Sequence, residues 1–210
     1  MISFTIFKLV VLALGVSSTC LGFTIPEQRR DFTSTGPTCA SLAAASLSFL
    51  NSSNFMLTAF FNNLPNDNIT GVPLVLGENG GADGKEFRVL STFASFPSND
   101  YPTINMINGG LVASGPDRLN AVGTAVGTNA EISFTVANPP VAPADIYCGI
   151  PSTSANGCDN CQFARLSIET DTDSFSLCRP TTPGGQVNVV YKADSSDGNC
   201  DSVQLLIIPN

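Results

Sequence analysis

From residue 55 onward the chain alternates short apolar blocks with clusters of Gly, Pro, Asn and Asp. The blocks fall at 55–61, 72–76, 86–93, 104–107, 111–113, 121–126 and 132–136, then at 146–150, 163–168, 175–178, 187–191 and 203–208. Blocks this short, bounded by turn formers, predict strands, and so many in succession predict an all-β fold. Within several blocks the hydrophobic period is two. Ile132, Phe134 and Val136 alternate with Glu131, Ser133 and Thr135, and Ala164, Leu166 and Ile168 alternate with Arg165, Ser167 and Glu169. Successive side chains of an extended chain point to opposite faces, so one face of each strand goes to a core and the other to water. The expectation is a single antiparallel β-sandwich-like domain over residues 55–210. Phe87-Arg88-Val89, Phe134-Thr135-Val136 and Phe175-Ser176-Leu177 recur at similar spacing and raise a three-fold β-trefoil as the alternative. The residues around them share no further signature.

Turn chemistry divides the blocks. Asn108-Gly109-Gly110 predicts a tight hairpin, because Asn and Gly accept positive φ at little cost. Gly77-Glu78-Asn79-Gly80-Gly81 also reads as a turn, and the polar stretch 169–174 as a hairpin loop between two strands. Only residues 39–50 show helical spacing, with Cys39, Leu42, Ala43, Ser46, Leu47 and Leu50 on one face. The segment 31–54 is therefore expected to be an N-terminal extension holding a short helix. Its Ser/Ala-rich composition suits a loose linker nearly as well.

The first residues follow another logic. Lys8 precedes the run Leu9-Val10-Val11-Leu12-Ala13-Leu14-Gly15-Val16, and Cys20-Leu21-Gly22 then places small side chains where a signal peptidase cuts. An apolar run of this length is short of the roughly 20 residues that cross a bilayer. Residues 1–22 are expected to be a secretion signal ending at Gly22. Gln28-Arg29-Arg30-Asp31 presents a dibasic pair, so 23–30 reads either as a propeptide removed after Arg29 and Arg30 or, equally well, as an ordinary charged surface turn.

Cysteine usage agrees with export. Of seven cysteines, Cys20 leaves with the signal, and Cys39, Cys148, Cys158, Cys161, Cys178 and Cys200 form an even set, as in disulfide-linked secreted proteins. Most lie in the C-terminal third, so the staples are expected there. Cys158-Asp159-Asn160-Cys161 is a C-x-x-C, but it lacks the second pair or the histidines of a zinc site and the βαβ setting of a redox dithiol. Asn51-Ser52-Ser53 and Asn68-Ile69-Thr70 match the N-glycosylation pattern, with Asn68 in the more polar loop.

Charge and missing residue types narrow the chemistry. The net charge is −8, with no basic cluster, which argues against nucleic acid and anionic membrane surfaces as partners. No second apolar stretch is long enough to enter a membrane. The chain has no histidine, which removes Ser-His-Asp and Cys-His catalysis and His-ligated metals. No metal or cofactor is expected. Asp197, Asn199 and Asp201 alternate as calcium ligands do, but Ser202 and Ile208 stand where an EF-hand needs Gly and Glu. Asn99-Asp100-Tyr101-Pro102 is the best aromatic loop for stacking a sugar, although a Pro-bounded turn often buries its Tyr. Glu169, Asp171 and Asp173 are the nearest thing to a catalytic carboxylate group. The expectation is a non-catalytic secreted or cell-wall-associated β protein that binds glycan or protein through loops. A secreted acid hydrolase using a carboxylate pair is the alternative.

Overall fold

Each apolar block carries a strand. The computed structural model describes residues 38–116, 119–152, 162–182, 184–194 and 198–210. Gly22, Arg29, Arg30, Cys158 and Cys161, and the expectations attached to them, lie outside the described residues. One short helix, α1 (Cys39–Ala44), precedes thirteen strands among the described residues. These are β1 (Ser52–Phe61), β2 (Val72–Ala82), β3 (Lys85–Thr92), β4 (Thr103–Ile107), β5 (Gly110–Ser114), β6 (Asn120–Gly123) and β7 (Ala130–Glu131). After them come β8 (Ser133–Val136), β9 (Tyr147–Ile150), β10 (Ala164–Ile168), β11 (Phe175–Cys178), β12 (Asn188–Tyr191) and β13 (Cys200–Pro209).

The expected all-β antiparallel architecture is present, in a more specific form than sandwich-like layering. Bonding runs in the order β1-β4-β5-β6-β8-β3-β12-β11-β13, and β13 then pairs back onto β1 from Phe55↔Pro209 to Phe61↔Val203, closing nine strands into a barrel. Closure leaves no bare edge along that seam, which an open sheet would have to protect by other means. β2 lies against both β1 and β3, β7 against β12, and β10 and β9 continue outward from β13.

The three Phe-x-aliphatic elements do not sit in a three-fold arrangement. β3 and β8 are neighbours, with Arg88 opposite Phe134, whereas β11 lies between β12 and β13. Phe134 and Phe175 are fully buried in the core while Phe87 is half-buried. The repetition reflects strand composition, in which aromatic and aliphatic residues alternate.

Three local expectations are corrected. Gly77-Glu78-Asn79-Gly80-Gly81 is strand, part of β2 paired with β3, and is exposed from Glu78 onward. The turn is Asp83-Gly84, where both residues have positive φ, and a register shift between Glu78 and Gly81 absorbs the glycines. The 169–174 loop does not join a hairpin, because β10 and β11 do not pair with each other but lie one after the other along the same edge of β13, Ala164 and Arg165 opposite Ile207 and Leu206, and Phe175 to Cys178 opposite Val203 to Cys200. The helix stops at Ala44 instead of reaching Leu50. Thr38 caps its start, with the Ser41 N–H donating to Thr38 Oγ1 and the Thr38 N–H to Ser41 Oγ. Ser46 then turns left-handed, and Phe49 exchanges two backbone hydrogen bonds with Gly149, drawing the chain out straight. The Asn108-Gly109 turn is as expected, with positive φ at both residues between β4 and β5.

Alternate residues of the strands fill the barrel. Phe55, Leu57 and Ala59 from β1, Phe134 and Val136 from β8, and Val203, Leu205 and Ile207 from β13 belong to one buried cluster with Tyr147, Leu166 and Phe175. Two disulfides among the described residues brace this body. Cys39–Cys148 fixes α1 to β9, and Cys178–Cys200 links the register partners of β11 and β13. Ser167 on the outer face of β10 is buried as well, and its hydroxyl donates to the Cys148 carbonyl. Among the described residues no helix is long and apolar enough to cross a membrane.

Candidate functional site

A strand has two edges, and β13 occupies one edge of β1 along its inner length. The other edge is shared. Thr58 and Ala59 pair with β2, while Ser52 and Phe55 pair with β4. Between Phe55 and Thr58 the sheet therefore forks, and a cavity of about 250 Å³ opens where the two neighbours part. Its walls are Met56, Leu57 and Thr58 of β1, Pro73 to Leu76 of β2, Ile104 of β4, and Phe93, Asn99, Tyr101 and Pro102 from the connection between β3 and β4. Thr70 and Ile208 complete it.

The floor and the rim differ in kind. Leu57, Leu74, Leu76, Tyr101 and Ile104 belong to the barrel core, so the cavity reaches down to packed interior. Met56 and Phe93 form an apolar lip, 40% and 44% exposed. Large apolar side chains left in solvent beside a cavity are more informative than scattered ones. Among the described residues lining the cavity there is no Asp, Glu, Lys or Arg.

One polar atom stands out. Thr58 points away from the barrel core, since Leu57 and Ala59 face it, yet the residue is only 4% exposed. Its Oγ1 is buried and has no hydrogen-bond partner. Leaving such a hydroxyl unsatisfied costs about 1–3 kcal/mol, and orphaned polar groups of this kind call for an explanation.

The Tyr101 wall is held from behind. The Arg88 guanidinium lies 5.7 Å from the centre of its ring, a cation–π arrangement, and itself pairs with Glu86 at 2.8 Å. Burial pushes the Tyr101 phenol above its ordinary pKa, with Arg88 opposing. Gly115 admits the ring: a Cβ there would stand 2.3 Å from Tyr101 Cε1. Across the cavity, Gly71 has φ +76° and a Cβ on it would meet the Ala59 carbonyl oxygen at 2.3 Å, so glycine is required where the chain enters β2.

The residues singled out from sequence are distributed elsewhere. Asn68 is exposed in the loop between β1 and β2, and its Oδ1 accepts from the Thr70 and Gly71 N–H groups and the Thr70 hydroxyl. Asn51 is exposed just before β1, and its Oδ1 accepts from the Asn108 N–H. The three neighbouring acids are engaged separately. Glu169 Oε2 accepts from the Cys39 N–H, Asp173 faces Arg165 at 3.5 Å, and Asp171 accepts from the Asp173 and Ser174 N–H groups and the Tyr191 hydroxyl. Burial alone would raise the Asp171 carboxyl, but these donors hold it below its ordinary value. Asp201 pairs with Arg179 at 2.6 Å, and no group of acids or cysteines among the described residues is arranged to hold a metal. The Asn99-Asp100-Tyr101-Pro102 loop is brought to the cavity, but its ring forms a buried wall rather than an exposed platform. Thr58, Met56 and Phe93 escaped the sequence. Their one signal there is a polar residue inside the apolar block 55–61.

No protein-family model matches the chain, and neither a curated protein nor a solved structure matches it.

Proposed function

We propose that the chain is an exported, non-catalytic binding protein that holds a small apolar molecule in the cavity at the fork of β1, β2 and β4. The observation that carries this reading is the lining: a core-deep apolar floor, an exposed Met56–Phe93 lip and no ionised side chain. Small-molecule sites are typically concave, mostly apolar and supplied with few polar groups. The two disulfides suit an oxidising space outside the cell. Sugar stacking needs an exposed aromatic face, and the Tyr101 ring is buried. An acid pair needs one carboxyl raised, and Asp171 is displaced downward.

Titration of the purified protein with 1-aminonaphthalene, a neutral two-ring fluorophore, tests the reading. Saturable binding in the micromolar range is expected. Met56→Asp, at an exposed position, should weaken it about tenfold by placing a charge on the apolar lip. Absence of saturable binding, or binding indifferent to Met56→Asp, overturns the assignment.

A further inference from the structure

We propose that this cavity selects a neutral ligand, an aromatic or alicyclic ring carrying one alcohol or carbonyl oxygen, and that Thr58 is the group that reads the oxygen. The inference rests on the binding reading above and specifies its ligand.

Size comes first. A dry apolar cavity of about 150 Å³ accommodates benzene, so 250 Å³ has room for a ring with a further ring or a short substituent. Charge comes second. A carboxylate entering the cavity would lose its water with no cation lining the wall, in a chain whose net charge is already −8. The nearby Arg88 does not line the cavity: it stacks on the Tyr101 ring and pairs through Nη2 with Glu86. An ammonium would find no carboxylate on the wall. Burying either ion unpaired is strongly unfavourable, which leaves neutral molecules.

The third observation sets the functional group. Thr70 Oγ1 is bonded to Asn68, Asn99 is exposed on the rim, and the Tyr101 phenol interacts with Arg88. Thr58 is the buried polar side chain of the wall that lacks a partner. A hydroxyl both donates and accepts, so an alcohol or a carbonyl oxygen satisfies it and a hydrocarbon does not. Sites built around an otherwise unpaired polar group discriminate against analogues that lack the matching atom.

A naphthalene series tests this with the wild-type protein by isothermal titration. 1-Naphthol should bind about tenfold more tightly than 1-methylnaphthalene, and 1-naphthoate and 1-naphthylmethylammonium at least tenfold more weakly than 1-naphthol. Thr58→Val should erase the preference for 1-naphthol, with 1-methylnaphthalene binding at least as tightly as it does to the wild type, and Thr58→Ser should keep the preference. Equal binding of 1-naphthol and 1-methylnaphthalene, or a preference that survives Thr58→Val, overturns the inference while leaving the apolar-binding reading intact, whereas a tighter charged analogue overturns both. Failure of every member of the series to bind overturns both.

Discussion

Asp171 shows how one side chain couples this protein to pH. Its Oδ1 accepts two N–H bonds at 3.1 Å, from Asp173 and Ser174, and its Oδ2 accepts the Tyr191 hydroxyl, with Lys192 Nζ at 3.8 Å. Burial works against the charged form, but the donors prevail and the folded carboxyl titrates below its ordinary value. A carboxyl depressed in the folded state binds its proton more readily once unfolded. Its contribution is therefore complete above the unfolded pKa of about 3.9 and is lost as pH falls through the folded value. Replacing Asp171 with Asn keeps an acceptor but removes the charge. Asp171→Asn should cost about 1–2 kcal/mol near neutrality. Urea titrations at descending pH should find the gap between wild type and variant closing below about pH 4. A gap that stays constant down to about pH 2 would mean the charge plays no part.

At the scale of elements, the two disulfides restrict very different lengths of chain. Cys39–Cys148 closes a separation of 109 residues and Cys178–Cys200 one of 22. Loop-entropy estimates give about 5 and about 3 kcal/mol respectively. The longer bridge also anchors α1, a six-residue helix far too short to persist alone. The double variant Cys39→Ala/Cys148→Ala should therefore lose about 1–2 kcal/mol more in denaturant titration than Cys178→Ala/Cys200→Ala; equal losses would refute the loop-length account. The elements themselves were legible because strand signals are local: period-two runs such as Ile132-Phe134-Val136 and turn pairs such as Asn108-Gly109 carry their own information. What was hidden depends on partners distant in sequence. The 169–174 loop looks like a hairpin until its two strands are seen to follow one another along a single edge of β13. Gly77 to Gly81 looks like a turn until pairing with β3 holds it extended. The cavity was hidden for the same reason. Tyr101 was visible as an aromatic in a loop, but Thr58 acquires meaning only from the fork, where β2 and β4 share one edge of β1.

At the scale of the molecule, the barrel is closed by its first strand and its last. β1 and β13 pair from Phe55↔Pro209 to Phe61↔Val203, and β13 also bonds to β10 and β11 on its other side. The final strand is thus central in space, and Val203, Leu205 and Ile207 place its inward face in the core. Nothing local can replace it. Without β13, β1 and β11 would each expose an edge, and Phe55, Leu57 and Phe175 would lose part of their cover. Unpaired apolar edges recruit other chains. A chain ended after Ser202 should therefore lose cooperative unfolding and near-ultraviolet ellipticity and associate on size-exclusion chromatography. In the intact protein, β1 and β13 amides should be among the slowest to exchange, opening only with global unfolding. Leu205→Ala, which leaves the seam in place but empties part of the core, should keep the fold and cost about 2–5 kcal/mol. A truncated chain that stays monomeric with native amide protection elsewhere would show that the seam is dispensable and that the open remainder of the sheet can cover its own edges.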